Sequence, residues 1–236
     1  MLLRLGKFAL SVVVVVMMGV AVAQPAGAQV EATETFDFGQ LDGVQDVVSR
    51  TYSADFSSIL GSATPGAEID PAALQEQGML SLVVLVAKFD DGGSAEDGLN
   101  ALSGELKEQS DDLTGGAEIQ EVDLGDLGDN REGYQATVEE EGTSIQAAVL
   151  VVQQDEFVYI AIGSSLSDAA VAPTKTTVEA MLDADEGGDD ITTDEAGISS
   201  GGLWDKLPRK GDEAIGALTP VYDEQLYPAP EATPTA

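Results

Sequence analysis

The 236-residue chain has neither cysteine nor histidine. Without cysteine there is no disulfide framework, no thiolate metal site, no thiol nucleophile and no lipid anchor on a cysteine. Without histidine the common general base near neutral pH is gone, and with it Ser–His dyads and the usual zinc and copper sites. Carboxylate and lysine chemistry remain. Aromatic residues are only 5% of the chain, too few to expect the platforms of a sugar cleft, although 43 acidic residues bring carboxylates into pairs by chance. The lysine-activated serine pattern Ser-x-x-Lys does not occur beyond the leader. Basic residues are scarce as well, 10 against those 43 acids, and the formal charge is −33. Such a field repels nucleic acid and anionic headgroups and favours an unknown protein or cationic partner. Acidity also keeps an exported protein soluble, which is the blander account of the same number.

At the N-terminus, Arg4 and Lys7 precede an apolar run from Phe8 to Ala23 that includes Val12 to Val16. This is the layout of a secretory signal peptide, expected over residues 1–28. Ala26-Gly27-Ala28 offers the favoured cleavage site and Ala21-Val22-Ala23 the alternative. The run is shorter than the roughly 20 residues a spanning helix needs, so no stable membrane anchor is expected after cleavage. Since no acidic residue precedes Glu31, losing Arg4 and Lys7 takes the charge from −33 to −35. The expectation is a secreted or extracytoplasmic protein of the cell envelope.

Residues 29–41 read as a flexible lead-in, and an α+β domain is expected over 42–183. Val44, Val47, Val48, Tyr52 and Phe56 mark a first ordered segment, helix or strand, before the turn chemistry of Gly61 to Gly66. The β-branched run Met79–Ala87, closed by Asp90-Asp91-Gly92-Gly93, predicts a strand buried on both faces. Ser94 resembles an N-cap with Asp97 three residues on, and Ala95, Leu99, Leu102 and Leu106 recur at helical spacing, so the pattern predicts an amphipathic helix over 95–110. The period then becomes two. Ile119, Val122 and Leu124 suggest a strand, followed by alternating strands around Tyr134–Val138, Ile145–Val151 and Phe157–Ile162, with reversals at Glu141-Gly142 and Gln154-Asp155. Such short connections make these last three an antiparallel meander. A second helix either starts at Thr174 or includes a kinked earlier turn with Pro173 inside it, and carries Val178, Met181 and Leu182 inward. Residues 184–202 read as an acidic Gly-rich linker and 203–236 as a C-terminal segment with a Pro-rich tail.

The order strand, helix, four further strands and a closing helix resembles the Mog1/PsbP-like α/β sandwich, as do the aromatic-bearing strand Phe157-Val-Tyr-Ile-Ala-Ile162 and the final helix Thr176-Val-Glu-Ala-Met-Leu182. That resemblance implies an antiparallel meander flanked by two helices and a non-catalytic accessory or binding module. Histidine metal sites of such relatives have no counterpart here.

Two constellations invite function. Asp183, Asp185, Asp189 and Asp194 occupy positions 1, 3, 7 and 12 of an EF-hand-like register with glycine at position 6, which makes Ca2+ the expected ligand if there is one. The fit breaks at Gly187, where an oxygen ligand belongs, and at Ile191, one place late; a solvated acidic linker has the same composition. Asp123, Asp126 and Asp129 form a second spaced set in a turn-rich loop. Trp204 with Lys206, Arg209 and Lys210 combines an aromatic anchor with positive charge, as a partner-docking segment would. The alternative is that Trp204 and Leu207 pack back onto the domain. The reading is therefore an exported acidic non-enzymatic binding or accessory protein, with a calcium-responsive structural protein as its rival.

Overall fold

A computed structural model describes residues 38–54, 78–108, 118–140, 143–166, 170–188, 192–193 and 198–228. The expected signal peptide, the turn at Gly61–Gly66, the reversal at Glu141-Gly142 and the tail from 229 lie outside the described residues.

The strands are β1 (Val44–Ser53), β2 (Met79–Phe89), β3 (Ile119–Glu121), β4 (Asn130–Glu140), β5 (Thr143–Gln154), β6 (Phe157–Ser165), β7 (Thr192–Thr193), β8 (Ser199–Ser200) and β9 (Thr219–Tyr227). The helices are α1 (Gly92–Glu108) and α2 (Val171–Asp183), and short 3-10 turns lie at Phe38–Gln40, Gly202–Lys206 and Glu213–Ile215. Seven strands form one sheet in the order β3-β4-β5-β6-β2-β1-β9, and each neighbouring pair is antiparallel. β7 and β8 make a separate two-residue ladder.

This corrects the expected meander flanked by two helices, the Mog1/PsbP-like sandwich. β4, β5 and β6 are consecutive neighbours, but β6 returns against β2, and two further strands complete the sheet beyond it: β1, whose spacing leaves helix and strand open, and β9, which the sequence pattern does not predict as a strand. β9 comes from the C-terminal segment that the sequence pattern placed outside the domain. The result is rich in sheet, with the first and last described strands paired: Arg50 of β1 faces Asp223 of β9.

Local chemistry explains most boundaries. β2 is buried along nearly its whole length, which is why Leu, Val and Ala follow one another without alternation. One face of the sheet packs Val47, Ala87, Phe89, Val151, Val158 and Ile160 beneath Ala95, Leu99 and Leu102 of α1. The other packs Val48, Tyr52, Leu82, Val84, Leu150 and Tyr159 beneath Val178 and Met181 of α2 and Leu203, Trp204, Leu207, Ile215 and Leu218 of the C-terminal segment. At about 1.5–3 kcal/mol for each large apolar side chain removed from water, neither cover is dispensable.

α1 begins three residues earlier than its apolar stripe suggests. Asp91, and not Ser94, is the cap: its carbonyl accepts from the Ala95 amide at 3.0 Å and its Oδ1 from the Ser94 amide at 2.8 Å. That backbone bond from Ser94 holds the Asp91 carboxyl below its usual pKa. α2 takes Pro173 inside its first turn, where a missing N–H costs nothing because the first amides of a helix have no internal acceptor. It lies close on the sheet at Gly163, where a Cβ would overlap Thr174 Oγ1. The β5–β6 turn sits at Asp155-Glu156, one residue beyond the expected reversal, with Asp155 at φ 54°, a left-handed conformation Asp tolerates better than most residues.

Candidate functional site

The C-terminal segment is tied down by a buried arginine. Arg50 lies on the β1 face turned toward Tyr52 and the C-terminal cover, and is 1% exposed. Its Nε donates to Asp223 Oδ1 at 2.7 Å and its Nη2 to Asp223 Oδ2 at 2.9 Å, a bidentate pair. The remaining N–H groups reach Ser199 O at 2.6 Å, Pro208 O at 3.0 Å and Leu207 O at 3.4 Å. Burial alone would lower the Arg50 pKa, but the Asp223 carboxylate outweighs it and the guanidinium is held charged. Tyr52 donates its hydroxyl to Pro208 O at 2.5 Å, and burial drives its pKa upward. One guanidinium thus reads four points of the chain between 199 and 223. The partners are up to 173 positions apart, so no local pattern marks them. The only sequence signal is an arginine set between valines and a tyrosine at inward parity in β1.

Trp204, expected as a docking anchor, is 5% exposed and belongs to the core beneath this clamp, its ring 5.9 Å from the Arg50 guanidinium carbon. Lys206 is likewise buried. Its Nζ donates to Ala184 O at 2.8 Å and lies 4.6 Å from the Phe157 ring centre and 5.7 Å from that of Tyr159. Burial lowers its pKa against the opposing pull of Glu186, Asp185, Glu156 and Asp155. Lys88, 5.5 Å over the same Phe157 ring, pairs with Glu186 at 2.9 Å. Together these lysines pin 184–186, part of the expected linker, to the end of the sheet. Arg209 pairs with Asp205, and Arg209 and Lys210 are exposed. The four residues of the expected docking segment therefore do not form one surface: two are inside and two outside.

Of the expected calcium ligands, Asp183 ends α2 and Asp185 follows it, both exposed. Asp189 and Asp194 lie outside the described residues. Among the described residues no three acidic side chains converge as a metal site would require.

A polar cleft of about 290 Å³ opens beside β3 and β4, lined in part by Lys107, Arg131, Glu132 and Tyr134. Its charges are turned on one another. Glu132 accepts from Lys107 Nζ at 3.0 Å and from the Tyr134 hydroxyl. Burial would raise the Glu132 pKa, but these bonds prevail and keep it low, while Tyr134 is pushed up to about 12 by burial and by Glu132. An ionised carboxylate held by two donors is not poised to move a proton at neutral pH.

The sheet's two edges differ. β3 is three residues long and the chain beyond it stays against β4, where the Val122 amide donates to Gly133 O at 2.8 Å. β9 runs nine residues and, among the described residues, pairs on one side only. It carries Val221 and Tyr222, 59% and 58% exposed, the large apolar side chains left outside among the described residues. They are adjacent, on a strand whose inner side is fixed by the Arg50–Asp223 pair. Compared with protein-family models, curated proteins and solved structures, the chain matches none, and nothing identifies it as Mog1/PsbP-like.

Proposed function

We propose that this chain is an exported, acidic, non-enzymatic binding or accessory protein of the cell envelope or medium, and that the β9 edge is its contact surface. The observation that carries the reading is the adjacent exposed pair Val221 and Tyr222 on a rigidly held edge strand, while both sheet faces are covered. The distribution of charge supports it. Of the eight basic residues beyond the leader, six are engaged internally: Arg50, Lys88, Lys107, Arg131 and Arg209 with carboxylates, and Lys206 with a carbonyl. Acids far outnumber bases on what remains, and they steer cations toward it.

The test is a photo-crosslinking residue placed at Val221 in protein exported by its own cells, with the same residue at the exposed Glu179 of α2 as control. A discrete adduct from the edge position alone supports a contact surface there; the same pattern from both positions refutes it. N-terminal sequencing of the exported chain should begin at Gln29, or at Gln24 for the alternative cleavage, and a chain still starting at Met1 refutes export.

The calcium-responsive alternative draws on the spacing of Asp183, Asp185, Asp189 and Asp194. Calcium at about 100 times its Kd should stabilise the protein by about 2.7 kcal/mol, with magnesium reproducing the shift poorly. No shift in melting temperature at millimolar calcium removes that reading.

A further inference from the structure

We infer that the β9 edge accepts a basic, extended segment of another protein as an eighth strand; this rests on the edge being the contact surface. A free strand edge presents backbone donors and acceptors in a fixed row, and a peptide can complete them if its own chain is extended. The usable row here is short. β9 slips register against β1 between Val47 and Val48 and again between Thr51 and Tyr52, which leaves Tyr222 to Gln225 as its straight stretch. Pro220 lacks an amide and closes one end of that row. Four residues suffice for a specific pairing and are too few for open-ended stacking.

Charge selects the occupant. A second copy of this chain without its leader would bring another formal charge of −35 to the same edge, and its β9 would set acid against acid. Asp223 is already neutralised by Arg50, so the carboxylate left for an incoming strand is Glu224. Burial raises the pKa of Glu224, the response of a half-buried carboxylate with no cation beside it. A lysine or arginine opposite Glu224 would supply that cation, and an apolar residue two positions away would cover Tyr222, which shares the face of Glu224. The fitting partner is therefore an extended segment that carries a basic and an apolar side chain two positions apart, on one face, met outside the cytoplasm.

The probe is the octapeptide Thr-Lys-Thr-Val-Thr-Lys-Thr-Val, whose one face alternates lysine and valine, titrated against the protein without its leader at physiological salt. A peptide of the same charge with its two valines replaced by proline serves as control, because it keeps the electrostatics and cannot form a strand. Binding of the first peptide should slow amide hydrogen exchange at residues 222–225, weaken about tenfold in Glu224→Lys, and weaken similarly in Tyr222→Pro, with unchanged melting temperature showing that each variant folds. Equal affinity for the proline peptide overturns strand addition while leaving an acidic contact surface intact. Failure of both peptides to bind, with the Val221 crosslink still present, also overturns it and points to a partner of different chemistry; failure of both together with loss of the crosslink removes the contact surface itself. A dimer in sedimentation at micromolar concentration, abolished by Tyr222→Pro, overturns the choice of occupant.

Discussion

Replacing Arg50 by methionine should unfold the C-terminal cover and cost the protein most of its margin. Arg50 donates five hydrogen bonds, two to Asp223 and three to the carbonyls of Ser199, Leu207 and Pro208. Methionine fills much of the volume and none of the bonds. The Asp223 side chain, 10% exposed, would lose its cation. Removing one partner of a buried pair costs about 3–5 kcal/mol, and the stranded carbonyls place this case toward the upper end. For a domain of this size about 2–4 °C of melting temperature corresponds to each kcal/mol, so the transition should fall by about 10 °C or more. The assay is urea unfolding followed by Trp204, the chain's single tryptophan, and in parallel by far-ultraviolet circular dichroism. Because Trp204 lies under the clamp, its transition in Arg50→Met should precede the loss of sheet signal. Asp223→Leu in the same background should add less loss than it does alone, since the carboxylate it removes has already lost its cation and keeps only the bond from the Ser199 amide at 2.9 Å. A loss below about 1 kcal/mol for Arg50→Met, or strict additivity of the two substitutions, would refute the clamp as the element that holds residues 199–223 on the sheet.

Trp204→Ala should destabilise by about 3–5 kcal/mol, as truncation of a buried aromatic does, and should leave the Val221 crosslink in place in whatever fraction stays folded; loss of the crosslink at full stability would return Trp204 to the contact surface. Gly163→Ala should cost about 1–3 kcal/mol by forcing α2 off β6, and Thr174→Ala should recover part of it in a double variant; a neutral Gly163→Ala would mean that α2 does not lie as close as described. Alkali should also destabilise. Burial raises the Tyr159 pKa above its ordinary 10.0, so below pH 10 both folded and unfolded chains hold the proton, and above it the unfolded chain releases it first. Stability is then lost as pH climbs from 10 toward the folded value, and Tyr159→Phe should flatten that decline in denaturant titrations across the range; an unchanged slope would show that Tyr159 does not carry it.

Periodicity alone reached β2, the alternating strands β4 to β6 and the two helices, because those segments bury one stripe or one continuous run, and burial of that kind is written in residues three, four or two apart. Composition set the charge and excluded histidine and cysteine chemistry. β1 was ambiguous for a physical reason: Val44, Val47, Val48 and Tyr52 are spaced as on a helix, yet both faces of the strand are covered, so no alternation appears. α1 began early because Gly92 and Gly93, strong turn residues by themselves, are carried into the helix by Asp91. β9 could not be read at all, since Thr219-Pro-Val-Tyr-Asp-Glu-Gln-Leu-Tyr227 has proline, acids and two bulges, the marks of an edge, and it becomes a strand only because β1 offers a partner. Whether Trp204 faces solvent or core was likewise decided in three dimensions. Composition and spacing are local, and they fix what each segment can bury; the clamp between Arg50 and Asp223, the cover it holds and the edge it leaves open among the described residues depend on side chains brought together from 173 positions apart.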